Sequence, residues 1–243
     1  MLKEARSILN ELTLTNSDRL SNELAHLEIQ GPRELLGLVS IILDKALEEH
    51  HLREKYAKLC KCIIVKGQMK EFQDEVDPVK KVTFKKCLLN KCQEEFDRSD
   101  RYNEMNYLDA AAKANKTRVA RNRMLGNITF IGELFAQKIL NEKIMHCCVK
   151  RLSQSKEEDA IECLCTLLAT IGKLLDREEA RHYMDRYFEQ MKQTANEIGC
   201  NPAQFPSGVR LKVMILYTLD LRKNGYVLPF VFVVCLATCL CCM

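Results

Sequence analysis

Apolar residues recur at spacings of three and four through most of the chain, which is the period of an amphipathic helix. In residues 33–49 the stripe consists of Leu35, Leu38, Val39, Ile42 and Ala46. Similar patterns predict helices in about ten segments. The predicted helices cover residues 3–12, 18–28, 33–49, 52–65, 79–97, 119–140, 142–152, 157–174, 177–195 and 209–222.

Between these helices the pattern predicts short links and no strands before residue 226. A loop closed by Asp77-Pro78 is expected over residues 66–78, a mixture of loop and helix over 98–117, and a longer loop over 196–208. Successive helices joined by short links become antiparallel neighbours. About five such pairs predict an all-α, HEAT-type helical solenoid, with a plain helical bundle as the alternative.

Charge is unevenly placed along the chain. The segment from Lys113 to Arg151 holds nine basic and two acidic residues, whereas the rest of the chain carries a small net negative charge. Arg118, Arg121 and Arg123 lie near the predicted start of the 119–140 helix, where the helix dipole disfavours cations unless the helix begins earlier. Contact with RNA or an acidic partner and an ordinary solvated face both remain open here.

A second basic group accompanies the predicted 79–97 helix. It contains Lys80, Lys81, Lys85, Lys86 and Lys91. For this group too, contact with RNA or an acidic partner is one interpretation and a solvated helix face is the other.

Four residues of the 119–140 segment are expected to be structural. Asn127 is unusual inside a helix and is predicted to be buried and hydrogen-bonded to a neighbouring turn. Phe130 and Phe135 are predicted to belong to the core. Gly132 lies on the apolar stripe, where a close approach of two helices explains a glycine.

The thirteen cysteines do not predict disulfides or a metal site. The beginning of the chain is charged from Lys3 onward and lacks the apolar core of a signal peptide, so reduced thiols are expected. The pairs Cys60/Cys62 and Cys163/Cys165 are two residues apart, and on a helix such side chains point in different directions. We therefore expect core thiols and no bound metal.

Motifs of catalysis are absent from the sequence. It has no glycine-rich phosphate loop, no HExxH pair and no GxSxG element. We therefore predict a protein that is not an enzyme and needs no cofactor.

Long blocks of the chain resemble one family in collinear order. They include KEARSILNELT (3–13), FKKCLLNKCQEEF (84–96), RNRMLGNITFIGELFAQKILNEKIMHCCVKRL (121–152), EEDAIECLCTLLATIGKLLD (157–176) and TLDLRKNGY (218–226). These blocks are similar to the middle domain of the eukaryotic translation initiation factor 4 gamma scaffolds. The resemblance implies a crescent of five HEAT-type helix pairs in the cytoplasm. It also implies binding of messenger RNA, other initiation factors and the DEAD-box helicase of the cap-binding complex.

The resemblance divides the chain into a middle domain over residues 1–224 and an atypical tail over 225–243. The tail has no charged residue and is rich in cysteine. A helix of that length would cross a bilayer core. A membrane anchor and the product of an alternative or mispredicted exon are the two interpretations. We expect the second, so a membrane is not an expected partner.

Two alternatives to a translation scaffold remain. A chain carrying only this domain would act as a regulatory decoy that sequesters the helicase. A chain of the same domain type would also suit an adaptor in RNA decay or in the nuclear cap complex.

Overall fold

The computed structural model describes residues 1–66, 71–73, 81–98, 110–200 and 205–227 of the 243-residue chain. The chain divides into two compact units, the first ending at Asn141 and the second beginning at Glu142. Six α-helices are described in the first unit. They are α1 (Leu2–Asn10), α2 (Ser17–Ala25), α3 (Pro32–Glu48), α4 (Arg53–Lys66), α5 (Phe84–Arg98) and α6 (Ala110–Ala136).

Four α-helices are described in the second unit. They are α7 (Glu142–Gln154), α8 (Glu158–Leu175), α9 (Arg181–Cys200) and α10 (Gly208–Lys223). Short 3₁₀ turns at His50–Leu52 and Glu178–Ala180 lead into α4 and α9.

The order of helix packing is that of stacked repeats. Within the first unit, α1 packs on α3, α2 on α4, α3 on α5 and α4 on α6, so each helix contacts the helix two places along. The partners α1/α2, α3/α4 and α5/α6 also touch. In the second unit, α7/α8 and α9/α10 pair, and α7 packs on α9 and α8 on α10. The described helices thus form five pairs, and the predicted all-α, HEAT-type fold is confirmed.

Helix α3 shows how the apolar pattern produces this packing. Its five predicted stripe residues are all buried, and the largest of them leave almost no surface exposed. Pro32 occupies the first turn, where its missing N–H leaves no hydrogen bond unmade, and the extended backbone of Gly31 precedes it. Burying one such stripe removes several large aliphatic side chains from water, each contributing about 2 kcal/mol.

The structure corrects three boundary predictions. Residues Phe72–Gln73 and Lys81–Val82 form a short antiparallel pair, β1 and β2, where only a loop and the start of a helix were expected. Helix α5 begins at Phe84 because the hydroxyl of Thr83 accepts a hydrogen bond from the amide of Lys86 and so caps the first turn. Strand and cap together take the residues that helical spacing had assigned to α5.

The other two corrections lengthen helices. Helix α6 already includes Ala110, since the alanines before Val119 favour a helix and no breaker separates them from it. Helix α9 continues to Cys200, so the first residues of the expected 196–208 loop are helical. The prediction of a mixed 98–117 link lies partly outside the described residues, as does part of the 66–78 loop.

The described cysteines are free thiols, and five of them are buried. They are Cys60, Cys87, Cys92, Cys163 and Cys165. Burial raises the pKa of Cys165 to about 12, so this thiol stays protonated at neutral pH. Across the described ranges, no three His, Cys, Asp or Glu side chains are grouped closely enough to hold a metal ion.

Within the described part of the chain, no helix combines the length and the apolarity needed to cross a bilayer. The hydrophobic tail to which the anchor hypothesis refers falls, from residue 228 onward, outside the described residues.

Candidate nucleic-acid interface

Exposed basic residues of the first unit concentrate at the beginning of α6. Every side chain from Lys113 to Val119 is exposed, so in the described structure solvent surrounds these two turns. They carry Lys113, Lys116 and Arg118 and no acidic residue. The Arg118 guanidinium donates to the side-chain oxygen of Asn115 at 3.1 Å, a local contact that leaves its charge at the surface. We call these three residues the α6 basic ridge.

Because α6 reaches back at least to Ala110, the three arginines predicted near a helix start lie well inside the helix. The dipole penalty for cations therefore does not apply to them. Their surroundings differ: Arg118 is exposed, whereas Arg121 is half-buried and engaged in contacts within the chain.

Arg123 is held by two carboxylates from other helices. Its Nε and Nη2 donate to the Glu95 carboxylate at 2.7 and 2.9 Å, and Nη2 also donates to Asp44 at 2.7 Å. These bonds, the one to Glu95 above all, raise the pKa of Arg123. Such a two-pronged contact joins α6 to α5 and α3, so Arg123 is engaged within the fold and we leave it out of the proposed RNA surface.

The second basic group is partly neutralised by neighbours. Lys81 lies on β2 and pairs with Glu71 at 2.6 Å, and Lys91 pairs with Glu94 at 2.7 Å. Lys86 donates to the backbone oxygen of Lys81 at 3.1 Å, and Lys85 is exposed. Lys80 lies outside the described residues. This group therefore presents less unpaired charge than the α6 basic ridge.

The four residues predicted to be structural lie in the interior of α6. Asn127 is 1% exposed, and its amide donates to the backbone oxygen of Cys92 on α5 at 2.9 Å. Phe130, Gly132 and Phe135 are buried. Their structural role remains a prediction, which the Phe130 substitution discussed below tests.

Gly126 shows a close helix approach that sequence analysis did not single out. A side-chain carbon at this position would lie 3.1 Å from the Leu47 carbonyl oxygen and 3.1 Å from the Arg53 guanidinium. That guanidinium in turn donates to the carbonyls of Ala46 and Leu47 at the end of α3. The absence of a side chain at Gly126 lets α6 lie against this helix end.

Two arginine contacts in the second unit also escaped sequence analysis. Arg210 on α10 makes a two-pronged contact with Glu162 of α8, at 2.7 and 2.8 Å, and this carboxylate is almost fully buried. Arg222 binds Asp176 through Nε at 2.7 Å and Asp185 through Nη2 at 2.6 Å. The partners are 37 to 48 positions apart in the chain, so no local pattern relates them.

The end of α10 folds back onto α8. Gly225 and Tyr226 both have left-handed backbones, with φ of 64° and 60°, which reverse the chain after the helix. The Tyr226 ring then covers Gly172, where an added side-chain carbon would lie 2.2 Å from the ring. Its hydroxyl donates to Asp176 at 3.0 Å, joining the same carboxylate that Arg222 binds.

Comparison with known proteins extends these observations. The chain matches the sequence profile of the MIF4G domain over residues 2–225. It is 37% identical to eukaryotic translation initiation factor 4G of Cucumis melo and 36% identical to eukaryotic translation initiation factor 4 gamma 1 of Mus musculus. The matches include 92% and 93% of this chain but only 12% and 14% of those relatives.

Among solved structures, the chain resembles the MIF4G domain of a translation initiation factor from Trypanosoma cruzi. The TM-score is 0.56 at 18% identity, over 93% of this chain and 96% of the other. At this identity the likeness concerns the fold alone, and it agrees with the all-α repeat architecture described above.

Proposed function

Since the chain belongs to the MIF4G domain family of the translation initiation factors 4 gamma, we propose that it is a non-enzymatic scaffold domain acting in the cytoplasm. It binds messenger RNA and a DEAD-box RNA helicase during translation initiation. The observation that carries this proposal is 35–37% identity to initiation factors 4G over nearly the whole chain. Because those relatives are several times longer, the proposal concerns this domain and not their complete activity.

The α6 basic ridge supports the RNA part of the proposal. Three cations without an acidic neighbour on an exposed helix end produce a positive potential that attracts phosphates. The exposed side chains surround the helix there, so a flexible single strand can reach them without rearrangement of the core. Lys85 and Lys86 of the second basic group are a weaker candidate because part of that group is already paired.

For the helicase part, the physical contribution of a repeat scaffold is preorganisation. A rigid surface that holds two partners close together raises the effective concentration of each for the other. A helicase held beside bound RNA would therefore engage RNA at lower bulk concentrations. Titration of the chain into the helicase, with ATPase activity measured in the same samples, tests this part.

We predict that the variant K113A/K116A/R118A binds a 20-nucleotide single-stranded RNA about tenfold more weakly than the wild-type chain at moderate salt. The slope of log affinity against log salt should fall by about 2, since each lost phosphate contact on a single strand removes roughly 0.7. Fluorescence anisotropy across a salt series measures both quantities.

The matched control removes the same charge elsewhere in the first unit. Lys3, Arg6 and Lys61 are exposed, so K3A/R6A/K61A lowers the net charge equally without touching the ridge. We expect its salt slope to stay within about 0.5 of wild type. Equal losses in both triple variants would show a general charge effect and contradict the assignment of the ridge.

A further inference from the structure

A row of four aromatic rings lies across α7 and α9 in the second unit. The ring centroids of His182 and Tyr183 are 3.8 Å apart, those of Tyr183 and His146 are 5.2 Å apart, and those of His146 and Tyr187 are 5.9 Å apart. His146 belongs to α7 and the other three to α9. We call these four residues the aromatic row.

One end of the aromatic row is anchored and the other is open. Tyr187 is 5% exposed, and its hydroxyl lies 3.3 Å from Nδ1 of His146 and donates to the His146 backbone oxygen at 3.4 Å. These contacts hold the His146 ring in place. Tyr183 is 45% exposed and His182 is exposed, so solvent reaches the rings at this end.

Cations flank the aromatic row on both helices. Lys143 and Lys150 precede and follow His146 by one helical turn, which places them on the same face of α7, and both are exposed. On α9, Arg186 is exposed one turn after Tyr183 and is close enough to act electrostatically on Tyr187. The surface therefore combines open ring faces with three positive charges.

Acidic residues beside the row are already engaged. Glu142 pairs with Arg177 at 3.1 Å, and Asp185 pairs with Arg222 at 2.6 Å. Partial burial lowers the pKa of His146, so its ring is mainly neutral at physiological pH and presents a flat aromatic surface.

We propose that the aromatic row is a stacking site for single-stranded RNA, with Tyr183 receiving a base and Lys143, Lys150 and Arg186 contacting the adjacent phosphates. Open ring faces bordered by cations are the combination that binds single strands with little dependence on sequence. The proposal rests on the proposed function, because it adds a base-contacting site to RNA binding. It differs from the α6 basic ridge, which contacts phosphates alone.

The test compares two ligands of equal charge on the full chain. One is a 12-nucleotide oligouridylate and the other an abasic 12-mer with the same phosphates. We expect the wild-type chain to bind the base-bearing strand at least about fivefold more tightly than the abasic strand. In Tyr183→Leu this preference should fall below about twofold, while binding of the abasic strand stays unchanged.

Tyr183→Phe is the matched variant, since it keeps the ring and removes only the hydroxyl. It should retain the preference for bases, and a 2-aminopurine placed in the strand should be quenched by wild type and Tyr183→Phe but not by Tyr183→Leu. Thermal melts of all three proteins should agree, because Tyr183 is largely at the surface.

The outcomes separate this inference from the proposed function. A wild-type chain that binds neither strand would overturn RNA binding and the stacking site together. RNA binding with an equal base preference in wild type and Tyr183→Leu would overturn the stacking site alone. Weaker helicase binding by Tyr183→Leu with RNA binding intact would instead mark the row as a protein contact, and would also overturn it.

Discussion

Phe130→Ala is expected to lower the free energy of unfolding by about 4 kcal/mol, the cost typical of removing a large buried aromatic side chain. Phe130 is completely buried in α6, a helix that packs on α3, α4 and α5, so the cavity would open where several helices meet. Urea denaturation followed by far-ultraviolet circular dichroism measures the change.

Val119→Ala is the control on the same helix. Val119 is 56% exposed and carries the same helix from the solvent side, so its replacement should change stability by less than about 0.5 kcal/mol. If Phe130→Ala were as mild as this control, Phe130 would not be part of the core, and the structural role predicted for it would be wrong.

Arg222→Ala is expected to cost about 3 kcal/mol, because it leaves a largely buried carboxylate without its cation. Asp176 has a side chain only 13% exposed, whereas Asp185 is 61% exposed, so most of the cost arises at Asp176. The guanidinium also lies 4.6 Å from the centre of the Phe188 ring, and that contact would be lost too. Thermal and urea denaturation both report the loss.

Two further substitutions separate charge from packing at this position. Arg222→Met keeps an aliphatic stem over Phe188 but removes the charge, and it should recover less than half of the lost stability. Lys223→Ala changes an exposed neighbour and should be nearly silent. Full recovery in Arg222→Met would contradict the role given to the ion pair with Asp176.

Much of the fold follows from local patterns. The predicted limits of α3, α7 and α8 lie within two residues of those observed, since each helix has a clear apolar stripe and a proline, acidic or glycine signal near one end. The start of α5 was misplaced because a two-residue strand pair depends on contacts between Phe72 and Val82, which helical periodicity does not register.

The candidate site was less accessible to sequence analysis. Arg118 and Arg123 look alike in the sequence, yet one is exposed and the other is bound by Glu95 and Asp44, which are 28 and 79 positions away. The aromatic row has the same origin, since His146 and Tyr187 are 41 positions apart. A weak signal did exist in the run from His182 to Tyr187, where three aromatic rings fall on adjacent turns of one helix.

The alternatives named from the sequence concern what a bound helicase does next. A regulatory decoy and an initiation scaffold both bind the helicase, and they differ in whether translation rises or falls when the chain is added to an extract. An adaptor in RNA decay or the nuclear cap complex would engage a different helicase. All three interpretations depend first on the interaction itself.

The most direct measurement is therefore a titration of the purified 243-residue chain into the initiation DEAD-box helicase, with RNA-stimulated ATPase activity measured in the same samples. The proposed function predicts saturable binding with a dissociation constant in the micromolar range or below, accompanied by a raised ATPase rate. No binding up to about 50 µM would contradict a helicase scaffold and leave RNA binding as the activity to be explained.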